Sequence, residues 1–289
     1  MQVLKTIAEV REWNKEQKKA GLEIGFVPTM GYLHEGHLSL ARAASLENGA
    51  VIMSIFVNPL QFGPQEDYAN YPRDFARDCR LAESAGVTAI FAPEVAEMYP
   101  IYPQLTTIEV QKVTLGLCGA SRPGHFTGVT TVVGKLFNIV QPNRAYFGQK
   151  DYQQVQVIKQ MVGDLNMPLA IKTVPIKREE DGLALSSRNV YLNPEERLQA
   201  LALSQGLLEC KELFAQGERR SEYLIEAVQQ RIRQEAQAQI DYVEICDCRT
   251  LEPVREVLAP VVVALAVRIG KTRLIDNTIL GGEQACTGL

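Results

Sequence analysis

Two rhythms of apolar and polar positions alternate through the first 175 residues. Helical spacing runs over about 7–21, 36–48, 72–85, 128–140 and 151–165. Between them lie short apolar runs of strand type at 22–27, 50–57, 87–91, 144–147 and 169–176. The run at 50–57 is nearly unbroken, as expected of a strand covered on both faces. Pro72 suits the first turn of its helix. Strand and helix in turn imply parallel pairing through right-handed crossovers, so the pattern predicts an α/β fold with a doubly wound parallel sheet.

After about residue 175 the rhythm changes. Two long helices are predicted at 194–215 and 219–238, then strands at 240–246, 261–267 and 272–276 with no helix between them. That order predicts a separate, smaller α+β domain with an antiparallel sheet. The expected division is therefore 1–175 and 176–289, joined by the stretch 177–193, and no internal repeat is evident.

Composition adds limits. The chain has 289 residues, 46% hydrophobic and 22% charged, enough for a substantial core. A net charge of −4 argues against nucleic acid as partner. No apolar run approaches the roughly 20 residues that span a bilayer, and the N-terminus lacks the apolar core of a signal peptide. Of six cysteines, only Cys246 and Cys248 stand close, with a spacing that fits neither a redox pair nor a zinc knuckle. Two packed thiols, in a reduced, soluble, cytoplasmic protein, are the expectation.

The most informative stretch joins the strand at 22–27 to the helix at 36–48: Val27-Pro28-Thr29-Met30-Gly31-Tyr32-Leu33-His34-Glu35-Gly36-His37-Leu38. His34 and His37 share one face of the first helical turn. A strand-to-helix turn leaves unpaired N–H groups and the positive end of the helix dipole facing outward, so imidazole donors there make a phosphate site. Ordinary packing is one alternative. Zinc is another, but the i, i+3 spacing departs from the i, i+4 of zinc helices and no third ligand stands near. Two of the chain's three histidines occupy this one helix start. Phosphate, and hence nucleotide handling, is the reading that uses both.

Other polar segments follow predicted strands. Asn58-Pro59-Leu60-Gln61 either caps a turn or sends Gln61 toward a substrate's carboxylate or hydroxyl. Ser121-Arg122-Pro123-Gly124-His125-Phe126-Thr127-Gly128 is either a loop with Thr127 capping the next helix or a mobile flap. Gly148-Gln149-Lys150-Asp151 is either an ordinary surface Lys–Asp cap or a site in which Lys150 offers a point charge for phosphate and Asp151 caps the helix while facing a ribose or metal, with Gln154 one turn on. Lys177 to Asn189 is either a solvated linker or a loop whose Ser186, Ser187 and Arg188 donate to a polyphosphate. Ligands of doubly wound sheets lie beyond the strands' carboxyl ends, so the loops after Val27, Val57 and Phe147 should converge on one cleft.

Together these motifs resemble the pantothenate synthetase family, the ATP-dependent pantoate–β-alanine ligases of coenzyme A biosynthesis within the nucleotidyltransferase superfamily. The residues that carry the likeness are Pro28-Thr29-Met30-Gly31 with His34-x-x-His37, Phe56 to Phe62, Gly119 to Phe126, Phe147 to Asp151, Gly182 to Asn189, and Arg273-Leu274-Ile275-Asp276-Asn277. Gln149 departs from the glutamate usual there. The resemblance implies a Rossmann-like first domain that binds ATP and pantoate and a second domain that closes over the ATP site. His34 to His37 take the role of the HIGH motif and Leu185 to Arg188 that of KMSKS.

On that likeness, the reaction passes through pantoyl adenylate with release of pyrophosphate, then AMP. It implies catalytic roles for His37, His34, Lys150 and Arg188. ATP is implied to lie against Met30, Gly31, Tyr32, Leu33, His34, Glu35, Gly36, His37, Gly148, Gln149, Lys150, Asp151, Lys177, Leu185, Ser186, Ser187 and Arg188. Gln61, Gln154 and Asn58 are implied to hold pantoate, with Pro28 and Met30 against its geminal methyls. Mg²⁺ is expected with ATP, with no tightly bound organic cofactor, no nucleic-acid or membrane partner, and a homodimeric state. Three rivals remain at this point: another adenylyl or cytidylyl transferase, an ATP-sensing module without catalysis, and a metal-dependent hydrolase.

Overall fold

In a computed structural model describing residues 1–64 and 66–282, the chain forms two compact units. The first comprises Met1–Gln111, Arg122–Gly148 and Val157–Val174. The second takes Lys112–Ser121, Gln149–Gln156 and the chain from Pro175 onward.

The first unit runs β1 (Gln2–Leu4), α1 (Ile7–Lys19), β2 (Ile24–Thr29), α2 (Glu35–Glu47), β3 (Ala50–Ile55), α3 (Phe75–Ser84), β4 (Ala89–Phe91) and the short α4 (Val95–Met98). After α5 (Leu117–Ser121), part of the second unit, come α6 (His125–Val140), β5 (Arg144–Gly148), α7 (Tyr152–Asp164) and β6 (Ala170–Val174). Helix α7 belongs to the first unit from Val157 onward. Every pairing in the sheet is parallel, in the order β1-β4-β3-β2-β5-β6. The edge strand β1 was not foreseen, because three residues are too few to display a period.

Alternation along β2 divides its side chains between two layers. Val27 packs with Leu38, Ala41 and Ala44 of α2 and Ala82 of α3. Phe26 stands edge-on to Phe137 of α6, ring centroids 6.3 Å apart. Helices thus cover both faces, as the sequence predicted. Helix α1 opens on a capping box between Thr6 and Glu9. Helix α3 begins at Phe75 rather than Pro72, because the Asp74 carboxylate accepts the Arg77 N–H and makes the cap itself. Helix α6 begins three residues earlier than predicted, behind Gly124 at φ 81°, so Thr127 lies inside the first turn and does not cap it.

The second unit contains α8 (Pro194–Gln199), α9 (Leu201–Ala215), α10 (Ser221–Arg233), β7 (Ala238–Asp247), β8 (Val261–Ile269) and β9 (Thr272–Leu280). The strands form an antiparallel meander, β7-β8-β9. Leu203 and Leu207 of α9 and Leu224, Val228 and Ile232 of α10 join Val263, Leu265 and Val267 in one core. The single helix predicted at 194–215 breaks at Ala200, where Leu203 N–H turns to the Ala200 carbonyl at 3.3 Å. Cys246 is a buried free thiol, which burial pushes up to about 12. Cys248 is disulfide-bonded, so the expectation of two packed thiols holds for the first alone.

Candidate active site

The strand order reverses direction between β2 and β5, which makes the carboxyl ends of these strands the switch point of the sheet. The chain leaves β2 at Thr29, whose hydroxyl donates to Ser54 O at 2.7 Å and accepts from Gly31 N–H at 3.2 Å. Gly31 has φ 83°, and a Cβ there would come within 3.0 Å of Ile55 and Asp78. Asp78, 1% exposed, accepts from Tyr32 N–H at 2.8 Å and Leu33 N–H at 2.7 Å. Burial raises its carboxyl above the ordinary value, and these two donors, with Arg77, oppose that rise. A buried acid on α3 therefore shapes the turn that leads into α2.

His34 is the N-cap of α2 and accepts Gly36 N–H on Nδ1 at 3.1 Å. His37 Nδ1 accepts His34 N–H at 3.4 Å, and the two ring centroids lie 4.0 Å apart. An Nδ1 that accepts carries no proton, so in each neutral ring the proton is on Nε2. Both histidines thereby become Nε2 donors at a helix N-terminus, a combination suited to anionic oxygen.

Beyond β3, a 3₁₀ turn spans Pro59–Gln61. Asn58, 1% exposed, has every polar capacity filled. Its Nδ2 donates to Gln61 Oε1 and Gly128 O, both at 3.1 Å. Its Oδ1 accepts from Leu60 N–H at 3.3 Å and from the Tyr99 hydroxyl at 2.8 Å. Because Asn58 engages Gln61 Oε1, the Gln61 amide turns its Nε2 toward Met30 Sδ, 3.3 Å away. Gly128 of α6 lies so close to this turn that a Cβ would stand 2.2 Å from Leu60 O.

Arg122 and His125 complete the support. Arg122 Nη1 can only donate, so His125 Nε2, 3.0 Å away, accepts. His125 Nδ1 then donates to Gln61 O at 2.9 Å, joined by Arg122 Nη2 at 3.3 Å. Glu66 closes a two-bond pair on Arg122, both contacts 2.7 Å. Burial pushes the Glu66 carboxyl up, but Arg122 outweighs it and the group lies at about 2. The segment at 121–128 thus holds the end of α5, a short turn over 122–124 and the first turn of α6, tied through Arg122 and His125 to the Gln61 backbone.

The second unit carries the other polar motifs. Lys150 Nζ is 3.3 Å from Asp151 in the 3₁₀ turn Gln149–Asp151. Gln154 lies in the first turn of α7, where its neighbour Gln153 donates to Val113 O at 3.0 Å and Gly116 O at 2.9 Å. The stretch after Pro175 folds back on itself, Arg178 bridging to Ala184 and Leu185 N–H meeting Lys177 O at 3.0 Å. Ser186 Oγ then accepts Arg188 N–H at 3.2 Å and caps a 3₁₀ turn over Ser187–Tyr191. Among the described residues, no three His, Cys, Asp or Glu side chains group as a metal site.

The family described as pantoate-beta-alanine ligase matches residues 2–279. The pantothenate synthetase of Moorella thermoacetica is 59% identical, covering 97% of this chain and 99% of its own. The chain belongs to the pantoate–β-alanine ligase family. The crystal structure of a pantothenate synthetase from Thermus thermophilus has a TM-score of 0.90 at 48% identity, over 96% of this chain and 99% of that one. A Francisella tularensis pantoate–β-alanine ligase, solved with β-γ ATP and β-alanine, scores 0.79 at 35% identity over 96% and 97%.

In this member of the family, the first unit brings together Met30, Asn58 and Gln61, sets Pro28 opposite Ser54 in the β2–β3 register, and builds the Met30–His37 turn next in sequence. The second gathers Lys150, Asp151 and Gln154 in one turn and the following helix start, and Lys177, Leu185, Ser186, Ser187 and Arg188 around one folded-back loop. Sequence reading missed Asp78, Tyr99 and Glu66. Asp78 carried a signal: in α3 it falls on the buried face with Ala82, a charged residue where an apolar one is expected. Nothing in the sequence marked Tyr99 or Glu66.

Proposed function

We propose that this chain joins (R)-pantoate to β-alanine at the expense of ATP, with the residues above in definite roles. The supporting observation is that His34 and His37 stand at the N-terminus of α2, each accepting a backbone N–H on Nδ1, in the same unit in which Asn58 holds the Gln61 amide in one orientation. Pantoate carboxylate attacks the α-phosphorus of ATP, the bond to the β-phosphate bridge breaks, and pyrophosphate leaves. The β-alanine amine then attacks the acyl carbonyl of pantoyl adenylate, and AMP leaves as pantothenate forms.

A carboxylate with a free pKa near ~4 is already ionised at neutral pH, so the first step needs no general base. Its obstacle is the approach of an anion to a polyanion. At about 4 Å, two unit charges repel by roughly 4 kcal/mol at an effective dielectric of ~20. His34 and His37, with the N-terminus of α2, stabilise charge on the phosphates, and His37 is the candidate proton donor. Lys150 and Arg188 supply full positive charges, while Lys177, Ser186 and Ser187 add donors. Met30 to His37, Gly148 to Asp151 and Leu185 to Arg188 are the nucleotide-binding residues on this reading. Gln61 and Gln154 hold pantoate, and Pro28 and Met30 meet its methyls. Asn58, fully engaged within the protein, orients Gln61.

Mg²⁺ enters with ATP. Such hard ions are typically held by substrate phosphates, water and one or two carboxylates, a donor set that Asp151 beside Lys150 fits. It would add charge neutralisation at the phosphates. On this reading the enzyme is a cytoplasmic homodimer. The test is release of AMP and pyrophosphate from ATP with pantoate and β-alanine both present. AMP release independent of either substrate would overturn the reading.

A further inference from the structure

The run Arg273-Leu274-Ile275-Asp276-Asn277 ends on two adjacent buried polar residues of β9, each 3% exposed. Strand β9 is an edge of the antiparallel sheet. Asn277 turns Nδ2 onto two consecutive carbonyls, Gln149 O at 3.0 Å and Lys150 O at 2.9 Å. Its Oδ1 lies 3.4 Å from Gln149 Nε2. Asp276 accepts both arms of the Arg178 guanidinium, at 2.6 and 2.9 Å, and its neighbour's N–H at 2.8 Å. Arg178 also donates to Gly182 O at 3.0 Å, across the base of the loop whose Lys177 O receives Leu185 N–H. Two consecutive residues of one strand thus grip two separate segments: the turn carrying Lys150, and the loop that carries Lys177 and leads into Ser186.

We propose that Asp276 and Asn277 are positioning residues for the nucleotide, fixing the Lys150 turn and the 177–188 loop in one mutual geometry. The proposal rests on the reading of those two segments as ATP-binding. A buried carboxylate forked by arginine fixes orientation as well as distance. An amide bridging two adjacent carbonyls fixes the path of the backbone. Neither residue needs to touch substrate. What they supply is preorganisation, so that Lys150 and Arg188 do not have to be ordered by ATP itself.

The test uses the full chain with Asn277→Ala, Asn277→Asp, Asp276→Asn and, as a reference, Lys150→Ala. Steady-state constants for ATP and pantoate and pyrophosphate exchange are measured on each. Asn277→Asp keeps the side-chain volume but presents an acceptor to two carbonyl oxygens. A packing role makes it the milder variant, whereas a positioning role makes it at least as harmful as Asn277→Ala. The expected result is a loss on the order of ten- to a hundredfold in kcat/KM for ATP, with pantoate KM within about twofold of wild type. Should Asn277→Asp not fold, Asn277→Ala and Asp276→Asn carry the test through the same split between substrates. Equal losses for both substrates, or unchanged ATP constants alongside an impaired Lys150→Ala, overturn the proposal alone. Unchanged ATP constants in Lys150→Ala overturn the nucleotide reading beneath it.

Discussion

Imidazole nitrogens that accept backbone N–H groups are committed groups, and in His34 and His37 that commitment falls on Nδ1. His37→Ala therefore removes an Nε2 donor while sparing the hydrophobic core. Pyrophosphate exchange should fall on the order of a hundred- to a thousandfold with the melting temperature little changed. Near-normal exchange would dismiss the role. Gln61→Ala should raise pantoate KM by about 10- to 100-fold, as expected for a lost hydrogen bond to a charged group, and an unchanged KM would count against it. The Glu66–Arg122 pair gives a pH signature. Its carboxyl is held at about 2 against an ordinary 4.5, so its stabilisation is complete above pH 4.5 and disappears as pH falls toward 2. Melting curves of Glu66→Gln should lie below wild type at neutral pH and converge with it across that window. At this scale the sequence displayed residue types but not their commitments. Asn58 reads as a substrate ligand until the partners that occupy it are known, and two of them, Gly128 and Tyr99, lie far along the chain.

Elements were legible where they were long. Helices α1, α2 and α7 follow from helical periodicity, and strands β2, β3 and β8 from short, nearly continuous apolar runs. Boundaries were not, because competing local contacts decide them: Asp74 displaced Pro72 as the start of α3, and the Arg122–Gly124 turn took the cap from Thr127. The short β1, α4 and α5 hold too few residues for any pattern to emerge. Packing between elements was also invisible, and Gly128 is the sharpest case. A methyl group placed 2.2 Å from Leu60 O forces α6 away from the Pro59–Gln61 turn. Gly128→Ala should destabilise by about 1–3 kcal/mol through overpacking. It should also raise pantoate KM, because Gln61 belongs to the displaced turn. A variant with wild-type stability and KM would show that the turn yields freely.

For the molecule as a whole, the two half-reactions should separate. Pantoate and ATP alone should support pyrophosphate exchange without β-alanine, and only the complete mixture should release AMP stoichiometrically with product. Ligand binding should also stabilise the fold: ATP with Mg²⁺ at about a hundred times its Kd adds about 2.7 kcal/mol, read as a rise in melting temperature. Fold class was legible from the order of strands and helices alone, but the strand order, with β1 at the edge, was not. The membership of the two units was not, because it depends on contacts between stretches far apart in the chain. The second unit is assembled from three stretches of sequence, two of them embedded within the first unit's own span. No single cut yields both units intact: a fragment beginning at Pro175 would lack 112–121 and 149–156, the two stretches that complete its unit.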